Sequence, residues 1–137
     1  MDVVLWLNET RGGGAMSVKI LFLENDDFYV EVIGTFVKLF LQHQLVVAKS
    51  PGEAFELARS GNPDLVLLDL ESDGYEALEF AEKMRDDAAT KRIAILAMSQ
   101  HDTKRDEALG RGCVAFLTKP FKVRELEALI AKLLGNA

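Results

Sequence analysis

Pro63-Asp64-Leu65-Val66-Leu67-Leu68-Asp69 is the stretch on which the reading of this chain turns. Four apolar residues run without a polar interruption and end on an acid. A strand with one wet face alternates apolar and polar residues, whereas a strand covered on both faces does not. Leu65 to Leu68 therefore predicts a central strand with a carboxylate at its exit. Similar short apolar runs lie on either side, at Val18 to Leu23, Leu45 to Ala48, Ile93 to Met98 and Val114 to Leu117. Helical patterns fill the intervals, over about 26–42, 51–60, 74–86, 102–111 and 122–134. Ser50-Pro51 reads as a cap with proline in the first helical position. Val123, Leu126, Leu129, Ile130 and Leu133 form one stripe on the last helix.

Five strand–helix units in succession predict an α/β fold: a five-stranded, doubly wound parallel sheet with five helices, flavodoxin-like, in the strand order 2-1-3-4-5. The length of 137 residues suits one domain. Gly12-Gly13-Gly14 is a flexible break. Residues 1–16 are accordingly read as an N-terminal extension or a misassigned start, with Met16 as the alternative start, and 17–137 as the domain. A net charge of -6 argues against a dedicated nucleic-acid surface. The single cysteine, Cys113, precludes an internal disulfide and suits a reducing compartment; it is expected to be half-buried. No apolar run approaches the roughly 20 residues that cross a bilayer, and no secretory signal is evident. The expectation is a soluble, cytoplasmic protein.

The ends of the strands carry the chemistry. The first run leads into Glu24-Asn25-Asp26, the third into Asp69, the fourth into Ser99 and the fifth into Thr118-Lys119. In a doubly wound sheet these positions share one edge, where ligands bind at the switch point. Acids from two strand ends suit Mg2+, which takes oxygen ligands and keeps several waters. Asp69 beside it is placed to act as a nucleophile toward a phosphoryl donor. Lys119 would neutralise charge, and Ser99 would offer a hydrogen bond to a phosphoryl oxygen.

With these residues in place, the sequence resembles the response-regulator receiver family of two-component signalling. The resemblance rests on Lys19-Ile20-Leu21-Phe22-Leu23-Glu24-Asn25-Asp26, Pro63 to Asp69, Asp73-Gly74-Tyr75-Glu76 and Gly112 to Phe121 (GCVAFLTKPF), in the family's order across residues 18–135. It implies Asp69 as phosphoacceptor, Glu24 and Asn25 at the acidic pair that holds Mg2+, and Lys119 as the conserved-type lysine before proline. It also implies Ser99 as the hydroxyl that senses phosphorylation, Phe116 as the switch aromatic, and a cis Lys119-Pro120 bond. The metal set it suggests is Glu24, Asn25, Asp69 and the backbone carbonyl of Glu71, with Asp26 as a further candidate that equally suits a helix cap. Two departures stand out. Asn25 is a neutral amide where the family has a carboxylate, and the loop after Asp69 lacks the usual Met-Pro segment.

The implied function is a stand-alone switch, phosphorylated by a histidine kinase or phosphotransfer protein and acting on a separate effector, since no output domain follows Ala137. It would be no enzyme beyond its own phosphorylation and dephosphorylation. The alternative is a pseudo-receiver that binds proteins without being phosphorylated, which Asn25 and the trimmed loop favour. A phosphohydrolase of the haloacid dehalogenase type would want an aspartate where Glu71 stands, and a flavodoxin-like cofactor role lacks its phosphate loop. A separate expectation concerns Phe28 to Leu41, where apolar residues surround the helix and only Glu31 and Lys38 are charged. A second apolar face there, including Phe40 and Leu41, would suit self-association.

Overall fold

The computed structural model describes residues 17–135, apart from the side chains of 72–75. The proposed extension over 1–16 lies outside them. Five strands, β1 (Lys19–Leu23), β2 (Gln44–Ala48), β3 (Leu65–Asp69), β4 (Ala94–Ser99) and β5 (Ala115–Thr118), pair in parallel in the order β2-β1-β3-β4-β5. Around them lie α1 (Asp27–Thr35), α2 (Pro51–Gly61), α3 (Leu70–Arg85), α4 (Arg105–Gly110) and α5 (Val123–Leu133). The expected architecture and strand order are thus the observed ones.

The period of two along each strand divides the core into two layers. Leu21, Leu23, Val66, Leu68, Ile95 and Ala97 face one way, against Ala54 and Phe55 of α2 and Ala77, Phe80 and Met84 of α3. Ile20, Phe22, Leu65, Leu67, Leu96 and Met98 face the other way, against Ile33 of α1 and Leu126 and Ile130 of α5. Both sets are needed because β1, β3 and β4 are interior strands, which explains their unbroken apolar runs. Cys113 lies in the first layer and is buried, not half-buried. Its thiol is pushed up to about 12 by that burial, so it is inert at neutral pH.

Three local features differ from the sequence-based expectation. The helix expected over 26–42 is α1 followed by a π-helical turn, Phe36–Phe40, closed by Leu41 N–H donating to the Phe36 carbonyl at 2.9 Å. The extra residue in that turn rotates the chain. Leu41 swings into the core at 8% exposure, while Phe28, Leu39 and Phe40 remain 67%, 71% and 66% exposed. The second apolar face therefore exists without Leu41.

The fourth helical segment is split into a 3-10 turn, Asp102–Lys104, and the short α4. Most consequentially, α3 begins at Leu70 instead of near residue 74, and the loop expected after Asp69 is a helical turn. Asp69 is the cap of that helix, its Oδ1 accepting from Glu71 N–H at 2.9 Å. A carboxylate immediately after an apolar strand is a good N-cap, and nothing between Asp69 and Glu71 opposes helix.

Gly112 joins α4 to β5 with φ of +118°, and a Cβ there would meet the Ala81 carbonyl oxygen of α3 at 2.9 Å. Both the backbone conformation and the close approach require glycine. Gly112→Ala is expected to lose about 1–3 kcal/mol of stability, seen as a lower urea midpoint at unchanged slope; an unaltered midpoint would show that the α3–β5 approach is not tight.

Candidate functional site

The carboxyl ends of β1, β3, β4 and β5 deliver Glu24, Asp69, Ser99 and Lys119 to one edge of the sheet, at the switch point where β1 and β3 adjoin. Backbone bonds hold these exits in place: Glu24 N–H donates to the Ala48 carbonyl at 3.0 Å, and Lys119 N–H to the Ser99 carbonyl at 2.8 Å. The Lys119-Pro120 peptide is cis, as the resemblance implied.

Lys119 Nζ donates to Asp69 Oδ2 at 2.7 Å. The two oxygens of Asp69 are thus divided, Oδ1 to the cap of α3 and Oδ2 to the ammonium, so cap and site position coincide in one residue. Glu24 lies against Asp69, which acts on its carboxyl, and its Oε2 accepts from Asp26 N–H at 3.2 Å. Glu24 and Asp69 are 0% and 1% exposed. Glu24 is driven up to about 9, first by burial, then by the hydrogen bond to Asp69 and the charge of Asp69, against the pull of the Asp26 amide and Lys119. For Lys119, burial acts to lower the ammonium, but the hydrogen bond and charge of Asp69, followed by Glu71, outweigh it and hold it above its ordinary value. Perturbed groups packed in this way are typical of functional sites.

The remaining candidates fall around this group. Asn25 is exposed next to Glu24. Asp26 caps α1, Oδ1 accepting from Phe28 N–H at 2.8 Å, which is the cap alternative of the two read from the sequence. Phe116 lies in the core beneath Arg105, whose guanidinium carbon is 5.6 Å from the ring centroid. Ser99 Oγ donates to Glu71 Oε2 at 2.6 Å and accepts from His101 N–H at 3.0 Å, so it is directed to Glu71.

Glu71 departs most from expectation. Helical carbonyls run along the axis toward the C-terminus, so in the first turn of α3 its carbonyl is not turned back to the strand end. Its side chain comes instead. Oε1 accepts from Gln100 N–H at 2.8 Å and lies 3.4 Å from Lys119 Nζ, while Oε2 lies 4.0 Å from Lys104 Nζ. The Tyr29 ring flanks the same ammonium, its centroid 4.1 Å from Nζ. Glu71 and Tyr29 thus close the strand-end crevice over Asp69, which is 1% exposed. Sequence reading missed the Glu71 carboxylate and Tyr29. The signal for Glu71 was its place two residues after a capping aspartate, in the first turn of a helix and on the strand-end side.

Among the described residues, no group of three or more His, Cys, Asp or Glu side chains is gathered as a metal cage. The donor chemistry nevertheless fits Mg2+, which binds through one or two carboxylates and keeps its waters. Glu24 and Asp69 are two buried carboxylates against one ammonium, and the proton retained on Glu24 marks a shortage of positive charge. Asn25 beside them adds a neutral amide oxygen.

Comparison with known proteins gives the family and the fold. The model of the response regulator receiver domain matches residues 20–131, and the chain belongs to that family. The polar-differentiation response regulator DivK of Brucella ovis is 27% identical over 124 residues, covering 89% of this chain and 100% of the relative. Among solved structures, a response regulator from Chloroflexus aurantiacus superposes with a TM-score of 0.80 at 20% identity, over 88% of this chain and 99% of the other. The receiver domain of a sensor histidine kinase from Pseudomonas aeruginosa, with a magnesium ion in its active site cleft, gives 0.79 at 21% identity, over 88% and 99%.

The proton on Glu24 has a measurable consequence. The unfolded chain loses it near the ordinary 4.5, the folded protein only near 9. Stability is fully present below the lower value and falls as pH rises toward the upper one, by up to about tenfold in the folding constant per pH unit. Glu24→Gln is expected to flatten that slope in urea unfolding without added metal; an identical slope in both proteins would place the proton elsewhere.

Proposed function

We propose that this chain is a phosphorylation switch in which Asp69 accepts a phosphoryl group from a histidine kinase or phosphotransfer protein, with Mg2+ bound at Glu24, Asn25 and Asp69. The observation that carries the reading is the gathering of Glu24, Asp69 and Lys119 at one sheet edge, with Lys119 Nζ 2.7 Å from Asp69 Oδ2. An Asp69 oxygen attacks the phosphorus of a phosphohistidine whose other ring nitrogen carries a proton, the phosphorus–nitrogen bond breaks with its electron pair left on the nitrogen, and the imidazole departs neutral. Bound Mg2+ supplies charge neutralisation for the transferring group.

Lys119 does the protein's share of that work. Its ammonium, held charged by Asp69 and Glu71, stays beside the carboxylate and meets a phosphoryl oxygen once the group arrives. Ser99, at the end of the neighbouring strand, gives that group a hydroxyl donor. The resulting pull on the end of β4 is transmitted to α4 and Phe116 and alters the surface offered to an effector protein. The role is that of a cytoplasmic signalling domain whose chemistry is confined to its own aspartate. DivK, over whose full length the match extends, is itself described as a response regulator.

Incubating the folded protein with a small phosphodonor and magnesium is expected to add the mass of one phosphoryl group, and Asp69→Asn is expected to abolish the gain. Absence of any adduct on folded protein would leave only a phosphorylation-independent binding module.

A further inference from the structure

Glu71 occupies a position that the proposed reaction needs for something else. A phosphoryl group on Asp69 would take up the Ser99 hydroxyl and the Lys119 ammonium. Both already serve the Glu71 carboxylate: Ser99 Oγ donates to Oε2 at 2.6 Å, and Lys119 Nζ lies 3.4 Å from Oε1. The Gln100 N–H, donating to Oε1 at 2.8 Å, completes the set. An anion with two oxygens, satisfied by a hydroxyl, an amide and an ammonium, already sits beside the acceptor.

The geometry is built, not incidental. Asp69 caps α3 through Glu71 N–H, so the cap itself fixes the backbone from which the Glu71 side chain reaches over. Hydrogen bonds to a charged acceptor are about twice as strong as neutral ones. They also leave Asp69 buried beneath them.

We infer that the Glu71 carboxylate is a resident stand-in for the phosphoryl group, a gate that holds Ser99 and Lys119 and must leave before Asp69 is phosphorylated. The inference rests on the phosphoacceptor reading and adds a positioning residue to it. Departure of Glu71 frees its donors for the incoming group, so one anion is exchanged for another at the same donors. Lys104, 4.0 Å from Oε2 and partly exposed, is the cation toward which the displaced carboxylate moves.

Labelling rates with a small phosphodonor and magnesium provide the test, comparing the natural protein with Glu71→Gln and with Glu82→Gln as a remote control that loses a surface ion pair to Arg111. Glu71→Gln keeps the shape and removes the charge. It is expected to label about tenfold faster or more, with charge-assisted bonds replaced by weaker neutral ones, while Glu82→Gln keeps the natural rate. Should Glu71→Gln not fold, Glu71→Ala replaces it with the same expectation.

Equal or slower labelling of the Glu71 variant overturns the gate while the phosphoacceptor reading stands. No adduct on any folded variant overturns that reading and the gate together. A second measurement is independent of rate: amide hydrogen exchange at Gln100 is expected to accelerate when the natural protein is phosphorylated, because its acceptor has left. Unchanged protection at Gln100 in the phosphorylated protein overturns the displacement.

Discussion

One buried ammonium facing three carboxylates is the constraint from which the rest of this molecule follows. Lys119 lies within 2.7 Å of Asp69 and 3.4 Å of Glu71, and Glu24 adjoins Asp69. Taking charges out of water costs several kcal/mol per ion, and a buried pair often repays that only in part. A site built for stability alone would use apolar residues at these strand ends. This one instead keeps a carboxylic acid protonated far above its ordinary range. That residual imbalance argues for a site prepared for more positive charge, whereas a purely structural pair would balance.

The fold explains how such a group is assembled from residues distant in sequence. Parallel strands point every carboxyl end to one edge, and the reversal of order at β1 and β3 leaves a gap between helices there. The apolar runs that make β1, β3 and β4 interior strands also make their exits rigid, because each is packed on both faces. Polar residues placed immediately after those runs inherit that rigidity. Asp69 does so twice, capping α3 with one oxygen and facing Lys119 with the other.

Strand positions, topology and the gathering of Glu24, Asp69, Ser99 and Lys119 at one sheet edge were legible in the sequence because each depends on a local pattern. Unbroken apolar runs located β1, β3 and β4, and the acids, serine and lysine at their ends were countable directly. What was not legible depended on helical phase. The π-helical turn at Phe36–Phe40 inserts a residue that no hydrophobic pattern announces, and it alone decides that Leu41 is core while Leu39 and Phe40 are not. Likewise the start of α3 was placed near residue 74, because the family resemblance made the stretch after Asp69 a loop. That misplacement concealed Glu71: a loop would have turned its carbonyl to the site, and a helix turns its side chain there.

The same shift changes what the two departures from the family pattern mean. Taken singly, an amide at Asn25 and a trimmed loop read as losses that weaken the site. With α3 starting directly at the acceptor, the trimmed loop brings a carboxylate onto the donors a phosphoryl group would use. Glu71 also spans the exit of β4 at Ser99 and Gln100 and approaches Lys104, in the turn that leads into α4. Any movement of that carboxylate therefore acts on the end of β4 and the beginning of α4 together. Such a link needs no long relay, because one side chain touches both the site and the element that follows it. On the proposed reading, the short loop trades part of the metal's usual support for a direct mechanical connection between the acceptor and the surface around α4.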